Sequence, residues 1–424
     1  MIALYVANLA VSVLLVWWPL WFSRRRLHFR ILNPITVPMF IGIPVELMKL
    51  LVGPVILIDG GLWNAGFQYA VLMTNVFTVS QIAGTLFFYR LAGELHIENH
   101  LPYRGFVLTS RHLYCSGIFF FAIFALAFLT LASSHIGVIE WVKNPRVGYQ
   151  LYRVGEGYWY AIAVNALSVS MILLLFAKPV PHSILPIATL FVAMSYLLGS
   201  KGIMLAIFTS TLIVLCFIGW RRLPRFLLLG APIMALLLVW NLYLALSDRF
   251  ELQSVVEYFD YYRNAADYYH AILNSKINLF HGQILLSSFW AYVPRGLVAS
   301  KPFVYGILYV NEIFYPGQAE LTNTPAFGGA VEQYADFGVL GVILFGFLST
   351  QSILNGVLYH LLFRATAFNP RKLTLPALLI VLALFGPAFG QFFAGLLYWF
   401  LFALVALVIR ILKPPEPPRV PLYG

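Results

Sequence analysis

The chain has 424 residues, 61% of them hydrophobic and 10% charged, with a mean hydropathy of +0.84. A soluble globular domain is nearer half apolar, so that class is excluded, and repeated apolar runs of about 17–25 residues match a bilayer core roughly 30 Å thick. The net charge of +11 is spread over short loops rather than gathered in one patch, which reads as the positive-inside bias of a membrane protein and not as a nucleic-acid surface.

The first apolar run, 2–22, lacks a charged leader and is followed by Ser23-Arg24-Arg25-Arg26, so it reads as a retained span rather than a cleaved signal. Further spans are expected at 33–57, 69–93, 113–133, 158–177, 183–199, 203–219, 226–246, 337–362, 373–391 and 394–412, eleven in all. The arginines after the first span place that loop in the cytoplasm. Alternation then puts Arg104, Arg111, Lys178, Arg221, Arg222, Arg225, Arg364, Arg371, Lys372, Lys413 and Arg419 on the same side. The expected architecture is all-α and polytopic, with 10–12 transmembrane helices. It forms one transmembrane domain over 1–412, followed by a Pro-rich cytoplasmic tail, 413–424.

The external side is left with a short loop near Asp59, a medium loop at about 134–157, a tight turn at Ser200-Lys201-Gly202 and a long loop at about 247–336. Within the long loop, 250–273 has helical composition without Pro or Gly, and its tyrosines and phenylalanines suit the headgroup level. The apolar pieces Ile284–Val293 and Phe303–Phe314 are too short to span. The loop is therefore expected to lie on and dip into the membrane surface as a lid.

Chemistry is expected on that side. Lys143, Arg146, Arg153, Lys201, Arg249, Arg263, Lys276, Arg295 and Lys301 all sit where positive-inside statistics deplete bases. Any one of them reads as a solvated or snorkelling loop charge. Together they suit a phosphate ligand: Arg donates two parallel hydrogen bonds, and Lys supplies a mobile point charge. Lys201 is held between two apolar runs with almost no loop, and sinking a Lys into hydrocarbon costs about 2.5–3.5 kcal/mol. Arg295 follows Pro294, whose fixed φ presents the guanidinium from a stiff turn. Ten residues separate Arg295 from Gly306, and ten also separate Arg146 from Gly157.

Among the external acids, Glu332 is best placed for a general base, because it enters a span at the membrane face. His270 and His281 are alternatives. Within the second span, Glu46 and Lys49 share a helix face and form a candidate buried ion pair, the best support for a transporter reading. Cys115 and Cys216 fall inside apolar runs and read as small core residues. No zinc spacing, Gly-rich phosphate loop, H-E-x-x-H or G-x-S-x-G occurs.

The order of features resembles the bacterial O-antigen polymerases of the Wzy type, which are related to O-antigen ligases. The resemblance rests on Gly-Ser-Lys-Gly at 199–202, PRGLVASKP at 294–302, TPAFGGAVEQYADFG at 324–338 and the paired Arg–Gly intervals. It implies a metal-independent glycosyltransferase of the membrane C type in the bacterial inner membrane, with its site facing the periplasm and no cofactor. The substrates implied are oligosaccharide repeat units linked to undecaprenyl pyrophosphate, with a chain-length regulator as a possible partner. On this resemblance Arg295, Lys201 and Arg146 would hold the donor pyrophosphate, Arg153 and Lys301 would support them, Arg263 would bind the acceptor diphosphate and Glu332 would be the base. Alternatives are a ligase-type transferase, a flippase or other transporter for lipid-linked oligosaccharides, and a non-catalytic assembly component.

Overall fold

The structure is a computed structural model that describes residues 2–27, 33, 35–97, 108–151, 157–177, 184–218, 223–246, 251–259, 261–293, 298–320, 325–364 and isolated positions between 378 and 411. Among these no strand occurs, and the chain is a helical membrane protein. Seven helices are long and apolar enough to cross a bilayer: Ile2–Arg24, Thr36–Leu57, Ala65–Glu94, Ser110–Ser134, Trp159–Phe176, Phe226–Leu244 and Val331–Leu361. Two shorter apolar helices, Leu185–Leu198 and Lys201–Cys216, fall on the expected spans 183–199 and 203–219. The expected spans 373–391 and 394–412 lie almost wholly outside the described residues, as does the tail. Outer faces carry exposed Leu14, Val55, Leu228, Leu236 and Leu340, which only a lipid environment satisfies.

The elements are α1 (Ile2–Val16), α2 (Trp18–Leu27), α3 (Thr36–Leu47), a π-helical turn (Met48–Val52), α4 (Gly53–Leu57), α5 (Ala65–Glu94) and α6 (Ser110–Ser134). Then come α7 (Val138–Lys143), α8 (Pro145–Leu151), α9 (Gly157–Phe176), α10 (Ile184–Ser195), α11 (Lys201–Ile218) and α12 (Leu223–Ala245). The long loop holds α13 (Leu252–Phe259), α14 (Tyr262–Leu273), α15 (Gln283–Ser287) and α16 (Leu308–Phe314), and α17 (Val331–Phe347) and α18 (Thr350–Arg364) follow.

Two hydrophobic cores result. One gathers α6 and α9–α12 around α9, whose Ala163, Leu167, Met171 and Leu175 are fully buried. Gly117 lets α6 pack directly on Leu174, and Ser170 Oγ donates to the Gly117 carbonyl at 2.8 Å. The other core forms around α5, against which α1, α14, α17 and α18 pack. Small residues make this possible. A Cβ on Gly66 would overlap the Ala266 carbonyl of α14, and one on Gly84 would overlap the Phe347 carbonyl of α17. Such glycines let helix backbones approach closely where no water-driven hydrophobic force acts.

A polar network ties α1 to α5. Asn8 Nδ2 donates to Gln68 Oε1 (3.3 Å), Asn75 Nδ2 donates to the Asn8 carbonyl (3.0 Å), and Ser12 Oγ donates to Asn75 Oδ1 (2.8 Å). The first helix is thus an integral part of this bundle.

The second helix of the long loop, α14, packs inward against α5. Tyr262, Tyr268 and Tyr269 of α14 are buried; Tyr262 packs on Phe67, Tyr269 on Tyr69 and Tyr334, and Tyr268 on Tyr334. The tyrosines therefore build a second core rather than a headgroup belt. Hydrophobic burial of three rings outweighs interfacial placement, and Tyr269 Oη is satisfied by donating to the Gly329 carbonyl at 2.7 Å.

Candidate active site

The turn between α10 and α11 is held by the medium loop. After a 3-10 turn at Tyr196–Leu198 the chain reverses at Gly199, whose φ of +65° lies in the left-handed region. A Cβ there would overlap the Pro145 carbonyl, so glycine is needed for both backbone shape and contact. Trp141 is fully buried and its Nε1 donates to the Leu197 carbonyl at 2.8 Å, while Tyr160 Oη donates to the Leu198 carbonyl at 2.6 Å. Gly148 leaves the space that the Trp141 indole fills. The loop carrying Arg146 and the turn carrying Lys201 are therefore one packed unit.

Both cations meet on Tyr258, at the end of α13. Arg146 Nη1 donates to Tyr258 Oη at 2.7 Å, and the guanidinium carbon lies 5.1 Å from the ring centroid. Lys201 Nζ sits 3.6 Å from the same centroid, donates to the Tyr258 carbonyl and lies 5.6 Å from the Tyr261 ring. Cations on aromatic faces are stabilised by about 0.5–2 kcal/mol, more when desolvated.

Lys201 is the first residue of α11, directly after the turn at Gly199 and Ser200. Burial, then the like charges of Arg146 and Lys49, push its amine down to about 7. Burial also raises the Tyr258 and Tyr261 hydroxyls, against the opposing effects of Arg146 on Tyr258 and Lys49 on Tyr261. The tyrosines thus stay neutral, and Arg146 and Lys201 bring two like charges to one ring. An oxyanion entering here gains charge-assisted hydrogen bonds and relieves repulsion at the same time.

The segment leading into α17 is joined to this cluster through Tyr261. Gly328 N donates to the Tyr261 carbonyl at 3.3 Å, and a Cβ on Gly329 would crowd Ala70 and Ala265. Glu332 follows in the first turn of α17 with an exposed side chain. Five residues on, the helix breaks at Phe337 and Gly338 (φ −132° and +61°). The carbonyls of Ala335 and Asp336 accept from Phe280 N (2.8 Å) and His281 N (3.0 Å). Asp336 is buried, and its carboxylate accepts from the amides of Gly282, Ile284 and Leu285 at 3.1, 3.0 and 2.7 Å. It caps α15 and fastens the loop to α17.

The other expected residues are placed as follows. Lys301 Nζ donates to the Val293 carbonyl at 3.0 Å and lies 4.7 Å from the Tyr305 ring, closing its own stretch of loop. Arg263 is exposed on α14, with Nη1 3.4 Å from Glu257 Oε1. Arg153 and Arg295 lie outside the described residues. Among the described residues no group of three or more His, Cys, Asp or Glu is arranged to hold a metal ion.

Sequence reasoning missed Tyr258, which both cations share, whereas the expected Glu46–Lys49 pair is present, Nζ to Oε1 at 2.9 Å. The signal for Tyr258 was the aromatic density of Tyr258, Phe259, Tyr261 and Tyr262 in a chain rich in external cations.

Comparison with known proteins agrees with the resemblance drawn from the motifs. No family model matches the chain, and no solved structure matches it. The chain is 26% identical over 252 residues to the O-antigen polymerases of Salmonella typhimurium and Salmonella typhi. The matched part is 58% of this chain and 59% of each relative, so the similarity spans somewhat more than half the length of either. The chain is thus a multi-pass helical membrane protein similar to curated O-antigen polymerases.

Proposed function

We propose that the chain is a metal-independent glycosyltransferase that polymerises oligosaccharide repeat units carried on undecaprenyl pyrophosphate, acting at the periplasmic face of the inner membrane. The observation that carries this reading is the meeting of Arg146 and Lys201 on Tyr258, from three separate chain segments. In the proposed step, an acceptor sugar hydroxyl oxygen bonds to the anomeric carbon of the donor glycan. The bond from that carbon to the phosphate oxygen breaks, and its electron pair leaves with the pyrophosphate. Arg146 and Lys201 neutralise the charge that develops there, and this electrostatic term is the main one asked of the protein. Glu332 takes the hydroxyl proton, while Arg153, Arg263, Arg295 and Lys301 support the donor and acceptor diphosphates.

Two kinds of experiment test this. In a strain lacking the gene, single repeat units should remain on the carrier or surface. Full-length polymer stranded on the carrier would point to a ligase, and repeat units trapped inside would point to a flippase. Purified full chain should lengthen lipid-linked repeat units without added metal. Failure to lengthen them in lipid bilayers, with the protein folded, would overturn the proposal.

A further inference from the structure

Lys49 has no role in the reading above, yet the fold brings its turn to the same place. It lies on the π-helical turn Met48–Val52, inside an otherwise α-helical span. A π turn inserts one residue and shifts every later side chain around the axis, and such turns gather at functional sites. The widened turn is anchored, with Gly53 N donating to the Met48 carbonyl and Tyr5 Oη donating to the Leu50 carbonyl at 2.9 Å. The helix that ends on Tyr258, α13, packs directly against this turn and against α4. The turn that carries Lys49 therefore lies against the helix that brings Tyr258 to Arg146 and Lys201, close enough for its charge to act on Lys201 and Tyr261.

Its partner is Glu46, one turn earlier, with Nζ to Oε1 at 2.9 Å. The Lys49 side chain is 19% exposed and the Glu46 side chain 40%. A pair kept only to neutralise a buried lysine would gain little here, because the carboxylate is the wetter member and is screened by water. A diphosphate offers Lys49 a more highly charged partner, in a recess that already holds two other cations.

We propose that Lys49 is a third anion-binding cation of the Arg146–Lys201 recess, held by Glu46 when the site is empty and transferred to a phosphate of the lipid diphosphate when the donor binds. This rests on the proposed use of that recess for a polyprenyl diphosphate.

The test measures binding of undecaprenyl pyrophosphate to the purified full chain in lipid nanodiscs. Variants are Lys49→Met, Lys49→Arg, Glu46→Gln, the double Glu46→Gln/Lys49→Met, Arg146→Ala and Lys201→Ala, each checked for monodispersity. Loss of one charge-assisted contact should weaken Lys49→Met binding by about tenfold or more. Lys49→Arg should keep most of the affinity, and Glu46→Gln should bind tighter than the wild type because Lys49 is no longer neutralised. The double variant removes the pair without leaving an unpaired charge, so it separates a stability role from a binding role. Wild-type affinity in the double variant, with Arg146→Ala and Lys201→Ala weakened, would overturn the role of Lys49 alone. Wild-type affinity in Arg146→Ala and Lys201→Ala as well would instead overturn the use of the recess for the donor.

Discussion

Arg146 and Tyr258 are joined by a 2.7 Å hydrogen bond between residues 112 positions apart, which closes the medium loop onto the long one. Tyr258→Phe keeps the ring under Lys201 but leaves the Arg146 guanidinium without its hydroxyl acceptor. A hydrogen bond to a charged group contributes about 1.5–3 kcal/mol, so kcat/KM for the lipid-linked donor should fall about ten- to hundredfold. Tyr258→Ala should fall further, because the aromatic shelf is lost as well. Wild-type turnover in Tyr258→Phe would remove the hydroxyl from the site's organisation.

Lys201 gives a pH signature. Its folded-state value near 7 lies below the ordinary 10.5. In the window between them the unfolded chain holds a proton that the folded chain has released, so this group adds stability as pH rises and loses it as pH falls toward 7. Donor binding has the opposite sense. A diphosphate stabilises the ammonium, so binding takes up a proton above pH 7, and donor KM should climb between about pH 7 and 9. In Lys201→Arg the charge is permanent, and the slope should flatten whatever the absolute rate. An unchanged KM profile in that variant would show that another group sets it.

Gly199→Ala tests the packing that brings the cations together. The left-handed φ costs a non-glycine residue about 1–2 kcal/mol, and the new Cβ would meet the Pro145 backbone, which cannot rotate away. Polymer output should drop strongly while the protein still inserts. Intramolecular cross-linking between cysteines introduced at positions 146 and 201 should drop with it.

Asp336 makes a different prediction, on stability. Asp336→Asn presents an NH2 to one of the amides its carboxylate now accepts from, leaving buried donors facing each other. The expected loss is about 1–3 kcal/mol, read as a lower unfolding temperature and faster proteolysis within 280–300. Asp336→Ala should be worse. Unchanged stability in both would mean that the loop is held elsewhere.

The membrane helices were legible because hydropathy reports transfer to lipid directly: nine apolar helices fall on the first nine expected spans. Lys201 was legible for the same reason, since a charge in a turn between two apolar runs is costly. The pairing of Arg146 with Lys201 depends on Gly199 touching Pro145 and on Trp141 reaching Leu197. Such long-range contacts have no periodic signal in the chain. Tyr262, Tyr268 and Tyr269 were misassigned together because an amphipathic aromatic suits both a headgroup belt and a protein core, and the close approach of α14 to α5 at Gly66 places them in the core. Asp336 was legible as an acid but not as a cap, because its amide partners lie 51 to 54 residues away.

The central claim is that Arg146 and Lys201 bind one diphosphate together, and a double-mutant cycle on undecaprenyl pyrophosphate affinity tests it most directly. Arg146→Ala and Lys201→Ala should each weaken binding by about tenfold or more. The double variant should weaken it by less than the product of the two, because the cations share one ligand and one ring. Affinities equal to the wild type in both single variants, in protein shown to be folded, would contradict the account.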